Sequence, residues 1–218
     1  MAGASTSRQI AEGVARLEAR DPVIARLHAE AGLPVLRPPA GTPFEALVLS
    51  ITYQQLAGAA ASAIHRRLVD VLEGEVTPER MLAAPATELR AAGLSTRKVE
   101  SLRDLATKVA DGTVHLDSRR LARESDDEIV ERLSSVRGIG RWSAEMFLLF
   151  QLRRLDVWPV GDLAVRHGYG LAWEIPTPTP RRLQELGEVY HPYRSLVAWY
   201  CWRAAQLYGR AQRSAVTA

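Results

Sequence analysis

A single cysteine, Cys201, stands among 218 residues. No intramolecular disulfide is therefore possible, and a cysteine-ligated zinc site or a four-cysteine iron–sulfur cluster is excluded by count. Lysine is nearly missing as well: the 28 lysine and arginine residues include only Lys98 and Lys108. The rest is arginine, which pairs bidentately with phosphate and stacks on bases, so a net charge of only +3 still admits a nucleic-acid partner. No run approaches 18 uninterrupted apolar residues, and the opening "MAGASTSRQIAEG" lacks the basic-then-apolar order of a secretion signal. A cytoplasmic protein without membrane association is expected, nucleoid-associated if bacterial. The histidines His28, His65, His115, His167 and His191 show no pairing at metal-ligand spacing.

What remains is a chain that is 47% hydrophobic, enough for a substantial core, with no stretch that alternates as a strand. Apolar residues recur at spacings of three and four behind Ser, Thr, Asp or Pro starts. The pattern predicts helices over Ser7–Ala19, Pro22–Ala31, Pro43–Gln54, Ala57–Leu72, Pro78–Ala84, Ala86–Ala92, Thr96–Ala110, Asp126–Ser134, Arg141–Leu152, Leu163–Tyr169, Pro180–Leu186 and Pro192–Leu207. "PVLRPPAG" and "PTPTP" read as extended punctuation, and "SAVTA" as a short tail. The class is all-α, and a two-lobed helical fold suits the uneven polarity of the helices better than a simple bundle.

The stretch "SSVRGIGRWSAEMF" holds two glycines between helical runs. Gly138 and Gly140 permit positive φ and close backbone approach, and the helix that starts next would aim free N–H groups at an anion. Ser143 is positioned to reach the same anion, and Ala144 permits close packing. The full pattern is that of a helix-hairpin-helix, which grips the DNA backbone without reading sequence. Downstream, "DVWPVGDLAVRHG" turns at Pro159 and Gly161 and opens a helix at Asp162. Capping alone accounts for such an aspartate. Beside a DNA-gripping hairpin, however, a fixed carboxylate suits the positive sugar that develops when an N-glycosidic bond breaks. Asp156 is the rival, and Asp162 is preferred because Gly161 and the helix start fix its backbone.

With these residues in place, the chain resembles the helix-hairpin-helix DNA glycosylase superfamily, and within it the DNA-3-methyladenine glycosylase II (AlkA-like) family. The likeness runs through five ordered blocks: "PFEALVLSITYQQLAG", "LRAAGLSTRKVESLRDLA", "VRGIGRWSAEMFLLF", "DVWPVGDLAVR" and "HPYRSLVAWYCW". It implies one glycosylase domain over 1–218, with an active-site cleft between two lobes. Residues of about 1–60 and 176–218 would form one lobe, and about 61–175 the other, with the hairpin at 133–144. The extra N-terminal β-containing domain of the larger family enzyme is not expected, since too few residues precede Pro43 to build one. The resemblance makes Asp162 the catalytic aspartate, gives Gly138, Gly140 and Ser143 to a phosphate, and assigns main-chain carbonyls of Ser134, Val136 and Ile139 to a structural monovalent cation. It implies no cofactor for the chemistry.

Superfamily members with lyase activity carry a lysine where this chain has Trp142. Without it a water must be the nucleophile, so excision leaving an intact abasic strand is expected. The indole offers a stacking face, worth about 0.5–2 kcal/mol to a cationic alkylated purine. Trp158, Tyr193 and Trp199 are further candidate walls of the base pocket. The "YQQLAG" turn resembles the family's intercalating loop, in which Gln55 or Leu56 would fill the gap left by a flipped base. The expected function is a monomeric, monofunctional glycosylase for alkylated purines acting on damaged double-stranded DNA. The alternative is a non-catalytic DNA-damage binder.

Overall fold

The computed structural model describes residues 2–39 and 41–216, with side chains described for 6–39 and 41–209. Among these residues there are thirteen α-helices and no strand. Helices α1 (Ala2–Glu18) and α2 (Pro22–Ala31) precede the proline-rich stretch. Then come α3 (Pro43–Tyr53), α4 (Gly58–Val71), α5 (Pro78–Ala83), α6 (Ala86–Ala91), α7 (Thr96–Ala110), α8 (Ser118–Leu121), α9 (Asp126–Ser134) and α10 (Arg141–Met146). The last are α11 (Leu163–Ala172), α12 (Pro180–Gly187) and α13 (Arg194–Val216). None of the described helices is long and apolar enough to cross a membrane.

The helix starts follow the cap residues. Thr42 and Ser125 each accept the N–H three residues on, while Glu45 and Glu128 reach back to the cap N–H, two reciprocal capping boxes. α2, α7 and α9 have the bounds the pattern predicts. Other predicted extents differ: α1 starts before Ser7 and α11 runs past Tyr169 to Ala172, and two differences are larger. The helix from Arg141 leaves α geometry after Met146 and continues as a π turn over Phe147–Gln151. α13 runs past Leu207 through the start of the "SAVTA" stretch, whose last two residues lie outside the described ones. α8, of four residues, is too short to leave a periodic signal.

The chain divides into two compact units, Met1–Pro38 with Leu148–Ala218, and Pro39–Phe147. This corrects the expected lobe boundaries at about 60 and 175. α3 packs on α4 and α7, so it belongs with the hairpin rather than with the chain ends. α11 packs along α13, so Asp162 belongs with the chain ends rather than with the hairpin. Both are long-range contacts that local sequence does not record.

In the first unit, Leu17, Ile24, Leu27, Leu196 and Tyr200 are fully buried; in the second, Leu47, Ile51, Leu68, Leu102 and Leu105 are. The α11–α13 contact tolerates no side chain at Gly168, where a Cβ would lie 1.8 Å from the Cys201 carbonyl oxygen and 2.6 Å from its carbon. Because backbone and not a pliable side chain stands in the way, Gly168→Ala must push the helices apart. We expect a loss of about 3 kcal/mol, seen as a lower urea midpoint at unchanged m-value.

Candidate functional site

The hairpin is built from the end of α9. The Val136 N–H donates to Leu133 O and the Ile139 N–H to Val136 O, both at 3.0 Å, two consecutive turns that fold the loop back between Leu133 and Ile139. Val136 and Ile139 are buried and hold the loop to the core; Gly138 and Gly140 are exposed. Gly138 has φ of +83°, a conformation that favours glycine. Gly140 is the N-cap of α10, in extended conformation and with no side chain to cap the helix. A helix start of this kind presents main-chain amides. Ser143 is only 8% exposed. The exposed surface of the loop is thus its glycine backbone, with Ser143 largely buried. Trp142, at the second position of α10, is 48% exposed.

The predicted plug turn lies in the same unit and is tied to the hairpin. The Gln54 side-chain amide donates to Gly138 O at 2.9 Å. Gln55 follows with φ of +57°, unusual for a residue with a side chain, and both Gln55 and Leu56 are exposed. Behind these turns runs α7. The Lys98 ammonium donates to Thr52 O at 2.7 Å and Gln54 O at 2.9 Å. A Cβ on Gly138 would lie 2.5 Å from Ser101 Oγ. Asp104 accepts the Arg137 N–H at 2.7 Å and the Lys108 ammonium at 2.9 Å, and Lys108 also donates to Ser135 O at 2.5 Å. Both lysines, distant from the motif in sequence, therefore serve its scaffold. Sequence reasoning missed Gln54, Lys98, Asp104 and Lys108; the available signal was two lysines on one helix of an arginine-rich chain.

Asp162 lies in the other unit. Its N–H donates to Pro159 O at 2.9 Å, closing the predicted turn, and its carboxylate accepts the Val165 N–H at 3.0 Å as the N-cap of α11. The cap fixes the carboxylate against the helix start, where negative charge is favoured. Burial pushes the Cys201 thiol well above its ordinary range, and the Asp162 carboxylate adds to the effect. Cys201 is thus a buried, inert neighbour. Asp156, the rival, is committed elsewhere. It receives Arg194 Nε at 2.9 Å and Nη2 at 2.6 Å, the Arg194 N–H at 3.2 Å and His191 Nδ1 at 2.6 Å, which anchors the start of α13.

The candidate pocket aromatics separate. Trp158 is 6% exposed, its indole N–H donates to Leu183 O at 2.9 Å, and its ring meets Tyr169 edge-on. It is a packing residue, correcting its expected place on a pocket wall. Tyr193 packs its ring on Gly13. Trp199 meets Tyr200 edge-on at 5.3 Å and carries the Arg203 guanidinium 5.7 Å from its centroid. One pair went unread: Phe150, 47% exposed, stacks on Trp202 at 5.8 Å. Trp202 follows Trp199 by three residues, and that helical spacing was the signal.

With this geometry established, the comparisons with known proteins bear on both units. The family model described as HhH-GPD superfamily base excision DNA repair protein matches residues 48–192. The chain is 36% identical over 168 residues to DNA-3-methyladenine glycosylase 1 of Schizosaccharomyces pombe, covering 76% of this chain and 73% of that protein. It is similar to the crystal structure of a DNA-3-methyladenine glycosidase from Bacillus halodurans, with a TM-score of 0.82, 33% identity and 91% of each chain covered. It is also similar to a Schizosaccharomyces pombe 3-methyladenine DNA glycosylase (Mag1) in complex with abasic DNA, with a TM-score of 0.75, 33% identity, and 90% of this chain and 97% of that one covered.

The hairpin anchor on α7 carries a pH signature. Burial pushes the Asp104 carboxyl up, but the hydrogen bonds from Arg137 and Lys108 and their charges outweigh it and hold it below the ordinary 3.8. A carboxylate depressed in the folded state stabilises it above 3.8, and that stability is lost as pH falls through the lower folded value. The Arg137 amide proton should therefore titrate by NMR with a midpoint below 3.8. Asp104→Asn should abolish that titration and lower the denaturation midpoint at neutral pH, with the deficit shrinking in acid.

Proposed function

We propose, since the chain belongs to the HhH-GPD superfamily of base excision DNA repair proteins, that it is a monomeric DNA glycosylase. It hydrolyses the N-glycosidic bond of alkylated purines of the 3-methyladenine and 7-methylguanine type in double-stranded DNA. The observation that carries the chemistry is the capped, backbone-fixed carboxylate of Asp162. N-alkylation makes the purine a good leaving group. As the bond from the anomeric carbon to nitrogen breaks, the base departs with the bonding electrons, and positive charge builds on the sugar. A preorganised carboxylate stabilises that charge without reorganising and positions or deprotonates the attacking water, whose oxygen ends on the anomeric carbon. The strand is left intact with an abasic site.

The hairpin backbone at Gly138 and Gly140 grips a phosphate, and Gln55 or Leu56 fills the space of the extruded nucleotide. The exposed Trp142 indole supplies a stacking face for a flat, positively charged base. Main-chain carbonyls of Ser134, Val136 and Ile139 are neutral oxygen donors of the kind that suits a monovalent cation. Val136 O keeps a second lone pair beside the Ile139 N–H it accepts. Such an ion would add positive charge near the gripped phosphate. An indole at position 142, where lyases carry an amine, supports hydrolysis without strand cleavage.

Incubation with methylated DNA should release 3-methyladenine and 7-methylguanine; release no greater than in a protein-free control overturns the reading in favour of a damage binder. Asp162→Asn should lose about 100-fold or more in single-turnover excision while retaining duplex binding. Borohydride should trap no covalent protein–DNA adduct, and a trapped adduct would restore lyase chemistry.

A further inference from the structure

Lys98, Ser101, Asp104 and Lys108 follow one another at intervals of three, three and four, and so form one polar stripe along α7. All four meet main chain of the two turns that the glycosylase reading assigns to DNA. Lys98 holds the end of α3 through Thr52 O and Gln54 O. Ser101 lies against Gly138, Asp104 holds the Arg137 N–H, and Lys108 holds Ser135 O. Gln54 closes the ring by donating to Gly138 O at 2.9 Å.

The bond from Lys98 to Gln54 O matters most, because that carbonyl belongs to the peptide joining Gln54 to Gln55. The plane of this peptide fixes where Gln55 starts, and Gln55 then takes φ of +57°. A left-handed residue with a side chain persists only where its surroundings over-determine it. Lys98 from below and the Gln54–Gly138 bond from the side supply that determination. We propose that Lys98 is a positioning residue for nucleotide extrusion: it fixes the Gln55–Leu56 turn relative to the Gly138 loop, so that gap filling and backbone capture act on the duplex together.

This role rests on the glycosylase reading and accounts for the residue type. Two carbonyl oxygens converge on one nitrogen, at 2.7 and 2.9 Å. A compact ammonium with three rotatable donors meets both from a single atom, whereas a guanidinium distributes its donors over a rigid plane. In a chain that uses arginine almost everywhere else, lysine stands where that geometry is required. Burial pushes the Lys98 ammonium down in pKa, in keeping with a cation taken from water to hold main chain.

The test uses the full chain, unaltered and as Lys98→Met, Lys98→Arg and Gln54→Leu. The first DNA is a duplex with a non-cleavable 2′-fluoroarabino 7-methylguanosine beside 2-aminopurine, whose fluorescence rises on extrusion. The second carries cleavable 7-methylguanine, either paired or left unpaired opposite an abasic site, where extrusion costs less. Each variant is expected to lose about 10-fold or more in extrusion signal and in paired-lesion excision, yet stay within about 2-fold of the unaltered protein on the unpaired lesion.

A variant set that extrudes normally, or that loses paired and unpaired excision equally, overturns the proposal. Full rescue by Lys98→Arg overturns it too, because charge alone would then suffice. Gln54→Leu alters a partly exposed turn and so guards against misreading an unfolded Lys98 variant. Unaltered protein that raises the fluorescence but releases no base would overturn the glycosylase reading alone, while a variant loss of that signal would still support the role of Lys98.

Discussion

Gly138 sits where the hairpin meets α7, and the two approach more closely than any side chain would permit: a Cβ there would fall 2.5 Å from Ser101 Oγ, at a φ of +83°. Much of the shape of the two turns in this unit depends on that approach. It lets the Gly138 carbonyl turn toward Gln54, brings the Arg137 N–H onto Asp104, and sets Ser135 O within reach of Lys108. A methyl group there would have to displace the Ser101 hydroxyl and hold a left-handed φ, straining the loop that carries these bonds. Gly168 meets a harder version of the same constraint in the other unit, where the obstacle is the Cys201 backbone. There it seats α11, and with α11 the carboxylate of Asp162.

Around this contact, the charges answer main-chain polarity more than one another. Lys98 lies at the carbonyl end of α3, where the helix dipole favours a cation. Asp162 lies at the amide end of α11, where it favours an anion. Asp156 shows what a carboxylate looks like when structure consumes it. Both of its oxygens are engaged, by Arg194 and His191, and its task is to start α13. Six residues apart in one turn, the two aspartates differ in their partners: a cationic clamp for one and a backbone cap for the other.

Local sequence carried the helices, because their signals are local. Pro22, Ser95 and Ser125 mark starts that the backbone obeys, and α2, α7 and α9 have the bounds their periodicity predicts. The hairpin was legible for the same reason: positive φ at Gly138 and an uncapped start at Gly140 belong to a few consecutive residues. Contacts across the chain were not. The unit boundaries shifted because α3 chose α7, and α11 chose α13. Trp158 looked like a pocket wall in the sequence, yet the missing side chain of Gly187 makes room for its indole in the core, where it donates to Leu183 O. Lys98 and Lys108 could be counted but not placed, since their main-chain partners lie 27 to 46 residues away.

Their placement bears on the chemistry. A Schiff base needs an amine that is neutral and free to attack. The structure brings both lysines to the scaffold of the hairpin, which at first strengthens the case for a lyase. Yet Lys98 is held by two carbonyls, and Lys108 by a carboxylate and a carbonyl. All four are acceptors that engage the N–H donors of the two side chains and hold them on the scaffold. Burial presses Lys98 toward the neutral form, but losing the proton would strip the charge that strengthens the bonds fixing the Gln54–Gln55 peptide. An amine released to attack a sugar would thus loosen the Gln54–Gln55 turn. Trp142 offers a stacking face where a lyase carries its nucleophile, and the two lysines are committed to the scaffold. That division of labour favours water as the nucleophile, in keeping with the role proposed for the Asp162 carboxylate.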